Sequence, residues 1–470
     1  ERVYLHELVG TTLEGLYGTE QDIPAIAVQL ARHFQEARIT EKAVHYLLQA
    51  GERAVLLSAY QEGISHLNTA LDSLMTLPHS PKRDQQELDL LLALGIAWQG
   101  FKGGQVPEIK ETYTRARELC QQMGKISEYS RVVDGLSVYY YVRAESLRAR
   151  EYAEEALSLA LQSKDPLLVV MANWILGVVS FSLGDYPAAH SHLNQAIDFY
   201  DPQKHHYPFV FLRGSDVGLG ALAYDACCLW CLGYPDQALK RSQQSLALAK
   251  ELDHPFTIAD VLCFGGCMFN AIRRDAQALI ENAKALEQLA IEKELVGWLG
   301  TGTRYRGEAL TMQSQAQEGI ARIRKGMAIM GSDGIRIFFP GTLGFLSEAQ
   351  VELGDPESGL KTSDEAIALI EKTNERHWEA EVHRLRAQTF LALGNEAEAE
   401  TSYQKAIEVA QGQSAKSWEL RATVGLSRLW LKQDKPNQAR EILEKIYDWF
   451  TEGFDTPDLI EAKILLEELS

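Results

Sequence analysis

Cysteine, proline and positive charge are all in short supply. Six cysteines are scattered through 470 residues without the paired spacing of a disulfide framework. The chain therefore reads as one suited to a reducing, cytoplasmic compartment. Basic residues number 46 against 65 acidic ones, a net charge of −19. Such a surface repels nucleic-acid phosphates and anionic lipid, so neither is expected as a partner. The longest apolar run, Leu167 to Leu183, is slightly short for a membrane span and carries Asn173, so it fits a buried helix instead. The opening ERVYLHELVG is not a signal peptide and has no initiating Met, as expected of a chain that belongs to something longer.

Catalytic signatures are missing as well. The sequence contains no phosphate loop of the form GxxxxGK[ST], no HExxH and no GxSxG. Gly300, Gly302 and Gly307 in GTGTRYRG suggest a dinucleotide turn, but no strand precedes them and Tyr305 stands where the third glycine is needed. The expectation is a non-enzymatic chain with no catalytic, cofactor or metal residues.

What the chain does contain is a repeat. Between Asn374 and Ala410, Val382, Leu385, Ala387, Phe390 and Leu393 recur at three- and four-residue spacing, one apolar face of a helix. Gly394-Asn395 breaks that helix, and Ala399, Tyr403 and Ala406 face back from a second one. A hairpin with one apolar side and no internal partner must stack on a copy. The copies are marked by the first small or modest residue of each second helix: Gly63, Ile109, Ala149, Ala189, Ala238, Ala278, Gly319, Gly359, Ala399 and Ala439. Most are about 40 residues apart, which is a solenoid period. The fold expected is all-α, a right-handed, TPR-like α-α superhelix of about ten hairpins.

Around the array, residues 1–38 read as a helical adaptor, 39–456 as the repeats and 457–470 as a capping helix. An insertion at 201–220, with two prolines, two histidines and three glycines, reads as a loop on one edge.

Four cysteines, Cys227, Cys231, Cys263 and Cys267, fall at i,i+4 spacing on equivalent helices of neighbouring repeats. They form a thiolate-site candidate, set against their simpler role as small apolar fillers. His205-His206 lacks a third ligand nearby and reads as solvated. In the repeat register, the inner face of the first helices carries Trp174, Phe181 and Trp230, then Arg304, Glu308, Glu348, Arg384, Gln388, Arg421 and Arg428. An aromatic patch followed by an arginine-bearing strip is a candidate partner-binding surface. The alternative is that the arginines pair with Glu308 and Glu348 across adjacent helices.

The spacing resembles the tetratricopeptide repeat, most closely at Leu176-Gly177, Ala189, Leu193 and Ala196. Several stretches, among them HELVGTTLEGLYG, LPHSPKRDQQELDLLLALG, KTNERHWEAEVHRLRA and YDWFTEGFDTPDLIEAK, resemble one family more specifically. This is the C-terminal TPR region of bacterial signalling proteins that couple a class III adenylate or guanylate cyclase, or a kinase, to a STAND-type AAA ATPase. The resemblance spans essentially the whole chain. It implies a sensor and interaction arm whose partner is a protein, a peptide, a neighbouring domain or a small-molecule effector. No site residue carries over from it. A second implied reading is the inducer-binding module of a STAND-type regulator, which an apolar cavity, rather than an open groove, would favour.

Overall fold

The computed structural model describes residues 1–17, 23–102, 106–332 and 336–470, and among these every regular element is a helix. The hairpins are numbered one to ten from Thr40. Their first helices are Thr40–Leu56, Pro81–Lys102, Ile126–Val142, Pro166–Ser182, Val217–Leu232, Pro255–Ile272, Val296–Met312, Phe339–Glu352, Glu379–Ala392 and Lys416–Lys432. Arg2–Tyr17 and Ile23–Glu36 precede the array and Pro457–Glu468 follows it.

Local chemistry sets the hairpin turns. A residue in the left-handed region follows the first helix at Ser58, Ala144, Gly184, Gly233, Arg274, Ser314, Gly354, Gly394 and Asp434, where it ends the helix. In several repeats an Asp or Asn then caps the second helix. The Asn395 side chain, for example, accepts from the Glu398 amide at 3.3 Å. Marks such as Ala149, Ala189, Ala238, Ala399 and Ala439 have no exposure, as close helix packing requires. The glycines of GTGTRYRG serve the same end. They lie in the helix Val296–Met312, and a Cβ on Gly307 would sit 2.7 Å from the Ile323 amide nitrogen.

Two expectations need correction. In repeat six the buried mark is Leu279, not Ala278. The preceding first helix contains a π-helical segment, Leu262–Met268, and such a bulge takes up one extra residue. The segment 201–220 is not a loop. Asp201 caps a helix, Pro202–Arg213, that ends at left-handed Gly214, and Asp216 caps the next helix.

The superhelix is so tightly wound that hairpins four or five repeats apart touch. The Arg336 amide donates to the Val142 carbonyl at 3.1 Å and the Arg376 amide to the Ser182 carbonyl at 2.7 Å. The Ser417 hydroxyl donates to the Trp230 carbonyl at 2.6 Å, and the Arg421 guanidinium to the Ile272 carbonyl at 2.8 Å. In repeat one, Ser58 meets His254 of repeat six at 3.4 Å. The Val142, Ser182 and Ile272 carbonyls end their first helices, where no intrahelical donor remains, and the Trp230 carbonyl accepts as well from the Gly233 amide. The next superhelical turn supplies the donor. Further along, Glu452 accepts from the Asp236 and Gln237 amides, and Asp236 accepts from Gly453.

Trp418 sits at this turn-to-turn contact at 1% exposure, edge-on to Trp230 with ring centroids 4.9 Å apart. Trp418→Ala is expected to cost about 3–5 kcal/mol. It is also expected to split urea unfolding into two transitions, the C-terminal repeats melting first. One transition at the wild-type midpoint would show that the turns are not energetically coupled.

Candidate functional site

Close winding partitions the inner face. Phe181, Tyr186, Tyr224, Trp230, Phe338, His377, Trp378 and Trp418 form a band of ring contacts between the two turns, with centroids 4.9 to 6.4 Å apart along its links. The Tyr186 hydroxyl donates to the His377 carbonyl at 2.7 Å across it. An aromatic chamber lies on the N-terminal side of this band and a charged groove on the C-terminal side.

The chamber is a cavity of about 130 Å³. Repeats one to eight each contribute to its wall, through Tyr60, Gln99, Tyr141, Trp174, Tyr224, Phe264, Trp298 and Phe338. The π-helical segment shapes one side. Side chains also reach its backbone carbonyls. Phe264 O faces the Cys227 thiol at 3.6 Å, Gly265 O takes the Ser242 hydroxyl at 2.7 Å and Gly266 O takes the Asn270 amide at 2.8 Å.

Polar groups enter the chamber from few directions. The insertion helix brings Arg213, whose guanidinium contacts Asp134 at 2.9 Å, donates to Gln99 at 3.1 Å and lies 4.8 Å over the Trp174 ring. The Gln99 side-chain nitrogen and the Trp174 indole nitrogen are buried without a hydrogen-bond partner among the described residues. Asp260 also faces the cavity, 8% exposed and without a hydrogen bond to the described residues. Burial pushes its carboxyl up to about 7, against the pull of Arg213. The Asp134 carboxyl is likewise raised by burial, to about 6.

The groove, about 820 Å³, runs along repeats six to ten and the final helix. Its arginines are paired: Arg274 with Glu348 at 2.6 Å, Arg384 with Glu381 at 2.7 Å, Arg421 with Asp458 at 2.8 Å and Arg428 with Glu461 at 2.9 Å. Burial alone would raise Glu381, but Arg384, Arg421 and Arg274 draw it down to about 2.

The ten residues singled out in the sequence thus divide among four places. Trp174 lines the chamber. Phe181 and Trp230, at 0% and 3% exposure, are buried in the aromatic band and present no free surface. Arg304 and Glu308 are buried too, bonded to each other at 2.6 Å and both to the Thr342 hydroxyl. Glu348, Arg384, Gln388, Arg421 and Arg428 line the groove together. The second turn covers part of the face that these residues share.

The four cysteines are buried and free. Among the described residues no three His, Cys, Asp or Glu side chains gather as a metal site would need. Burial raises all four thiols, away from the thiolate a metal prefers. His205 stacks on Phe199 at 4.9 Å. His206 is not solvated: it is buried against Asp216 at 2.8 Å. One helix, Pro255–Ile272, is long and apolar enough to cross a membrane, and it is mostly buried in the array.

Sequence reading missed Tyr60, Arg213, Asp260, Phe264 and Trp298. A lone acid inside the apolar stretch PFTIADVLCF was the available signal for Asp260. Nothing local marks Arg213, which reaches the chamber only because the insertion is helical.

Comparison with known proteins supports the architecture. Residues 341–412 match the tetratricopeptide repeat model. An uncharacterized protein of Rhizobium meliloti (strain 1021) is 23% identical over 410 residues, which span 85% of this chain and 39% of that protein. The chain therefore corresponds to well under half of that relative's length. A Rap protein complexed with competence and sporulation factor superposes with a TM-score of 0.58 at 12% identity, covering 80% of this chain and 99% of that one. A STAND protein with a tetratricopeptide repeat sensor from Pyrococcus horikoshii gives a TM-score of 0.40 at 11% identity, covering 95% and 74%. The fold is TPR-like, a class of helical solenoid, and the likeness to the Rap protein is one of fold.

Two measurements test this electrostatic layout. Arg304→Glu leaves two carboxylates buried together and is expected to cost about 3–5 kcal/mol of stability. Arg428→Glu, in a half-exposed pair, is expected to change it by less than about 1 kcal/mol. Similar melting curves for the two variants would contradict the burial described. Asp260 also gives a pH signature. Folded, it keeps its proton up to about 7, while the unfolded chain loses it near 3.8. Stability linked to Asp260 therefore falls as pH rises through that window. Asp260→Asn is expected to melt higher than wild type above pH 7 and to match it below 3.8. An equal offset at both ends would contradict the assignment.

Proposed function

We propose that the chain is the non-catalytic, cytoplasmic sensor arm of a longer signalling protein. It takes up a small-molecule effector between its two superhelical turns and passes that event to an attached nucleotide cyclase or ATPase. The observation that carries this reading is the chamber itself, walled by residues from each of eight consecutive repeats. An occupant there touches both turns at once, so it binds the closely wound state better than any looser one. That differential affinity is what a sensor needs to shift a conformational equilibrium. The absence of catalytic motifs and the relative's greater length agree with an arm rather than a whole enzyme.

A second reading, a protein or peptide partner in the groove, draws on a separate observation. Gln388 and Arg428 are exposed there beside Glu348, Arg384 and Arg421, and arginine forks suit carboxylates.

The test fills the chamber in the full-length protein. Val178 and Ile337 line opposite parts of the sequence's contribution to the wall, and both are nearly unexposed. Val178→Phe and Ile337→Phe should each cost about 1–3 kcal/mol by overpacking while keeping the helical spectrum. Basal cyclase or ATPase output is expected to persist and its response to cell metabolite extract to vanish. A full response in both folded variants would overturn the reading.

A further inference from the structure

The chamber's chemistry is specific enough to name the class of its occupant, resting on the reading of the cavity as an effector site. Its wall is a connected aromatic surface. Tyr60 meets Phe256 edge-on at 5.9 Å, Phe256 meets Trp298 at 5.7 Å, and Trp298 meets Phe264 at 6.1 Å. Set into that surface is the Asp260 carboxylate, over nine-tenths buried and making no hydrogen bond to the described residues.

The charge around the cavity is unbalanced. Arg213 is committed to Asp134 and Gln99 and lies over Trp174. Asp216, the other acid acting on Asp260, accepts from Tyr200 at 2.6 Å and contacts His206 at 2.8 Å. The remaining titratable neighbours, Tyr60, Tyr141, Tyr224 and Cys263, are buried groups raised above their ordinary values, hence neutral. Asp260 is left without a cation, and on its own it keeps its proton up to about 7; a cation beside it would stabilise the ionised form. An unpaired carboxylate in an apolar wall is costly, and aromatic faces attract cations.

The geometry points to a small organic cation as the occupant: a methylated or quaternary ammonium group seated among Trp298, Phe264 and Phe256 and paired with Asp260. A cavity of about 130 Å³ is close in size to one that takes a single benzene ring. That sets the scale at a few heavy atoms around the nitrogen. A carboxylate or phosphate ligand would face Asp260 with like charge. A neutral apolar ligand would leave that carboxylate unpaired.

Choline and its neutral isostere 3,3-dimethylbutan-1-ol separate charge from shape, and choline's cation does not titrate. Calorimetry on the full chain is expected to show saturable choline binding, with the alcohol at least about tenfold weaker. Asp260→Asn, checked for folding by its spectrum and melting point, should reduce the preference for choline at least about tenfold. Trp298→Leu should weaken choline more than the alcohol. Equal affinity for the two probes, an unchanged preference in Asp260→Asn, or no saturable choline binding at millimolar concentration would each overturn the assignment. Binding of the alcohol alone would refute the cation while leaving the effector site standing. Chamber-filling variants that respond normally would remove the effector site itself.

Discussion

The structure depends on satisfying the carbonyl groups left over at the ends of its first helices. Any α-helix leaves its last carbonyls without intrahelical donors. In an open solenoid, water serves them. Here the following superhelical turn does so, with amides at Arg336 and Arg376, a hydroxyl at Ser417 and a guanidinium at Arg421. Buried away from water, an unmet carbonyl is expensive, so the second turn is held to one position over the first. The aromatic band and the division of the inner face both follow from that closeness.

The repeat architecture was legible because its signals are local and redundant. Gly394-Asn395 reads as a break from two residues, and the structure realises it as a left-handed glycine followed by a capping asparagine. Small residues at a spacing near 40 report helix packing whichever way the array curves. Curvature itself has no such signal. It sums small rotations over five repeats, and partners such as Tyr186 and His377 lie 191 positions apart. Hence Trp230 and Phe181, read from the sequence as partner-binding, meet another part of the same chain instead. The shifted mark in repeat six has an equally physical origin: nothing in LCFGGCM distinguishes a π-helical from an α-helical turn until Ser242 and Asn270 are seen to serve its carbonyls.

The two compartments handle charge in opposite ways. In the groove, acids and bases are matched, and Glu381 is held ionised among three arginines. Such a lining is polar and largely charge-matched, so a partner must compete with existing pairs. In the chamber, matching is incomplete. Asp260, the Gln99 amide and the Trp174 indole all have unused capacity. Buried polar groups are almost always satisfied in a native protein, and those that are not mark where something else belongs. The helix Pro202–Arg213 contributes here by delivering Arg213, which keeps Asp134 from adding a second unpaired acid to the same wall.

The pairing of hairpins five repeats apart also limits how this chain can change in length. An ordinary solenoid gains or loses units by duplication and deletion, because each unit answers only to its neighbours. Here a unit gained between Ser182 and Arg376 would move every later hairpin one place along the turn. The Ser182 carbonyl would then face a different segment, and Tyr186 would lose the His377 carbonyl. Copy number within a turn is therefore fixed by hydrogen bonding, and sequence drift is confined to substitutions and to the ends of the array.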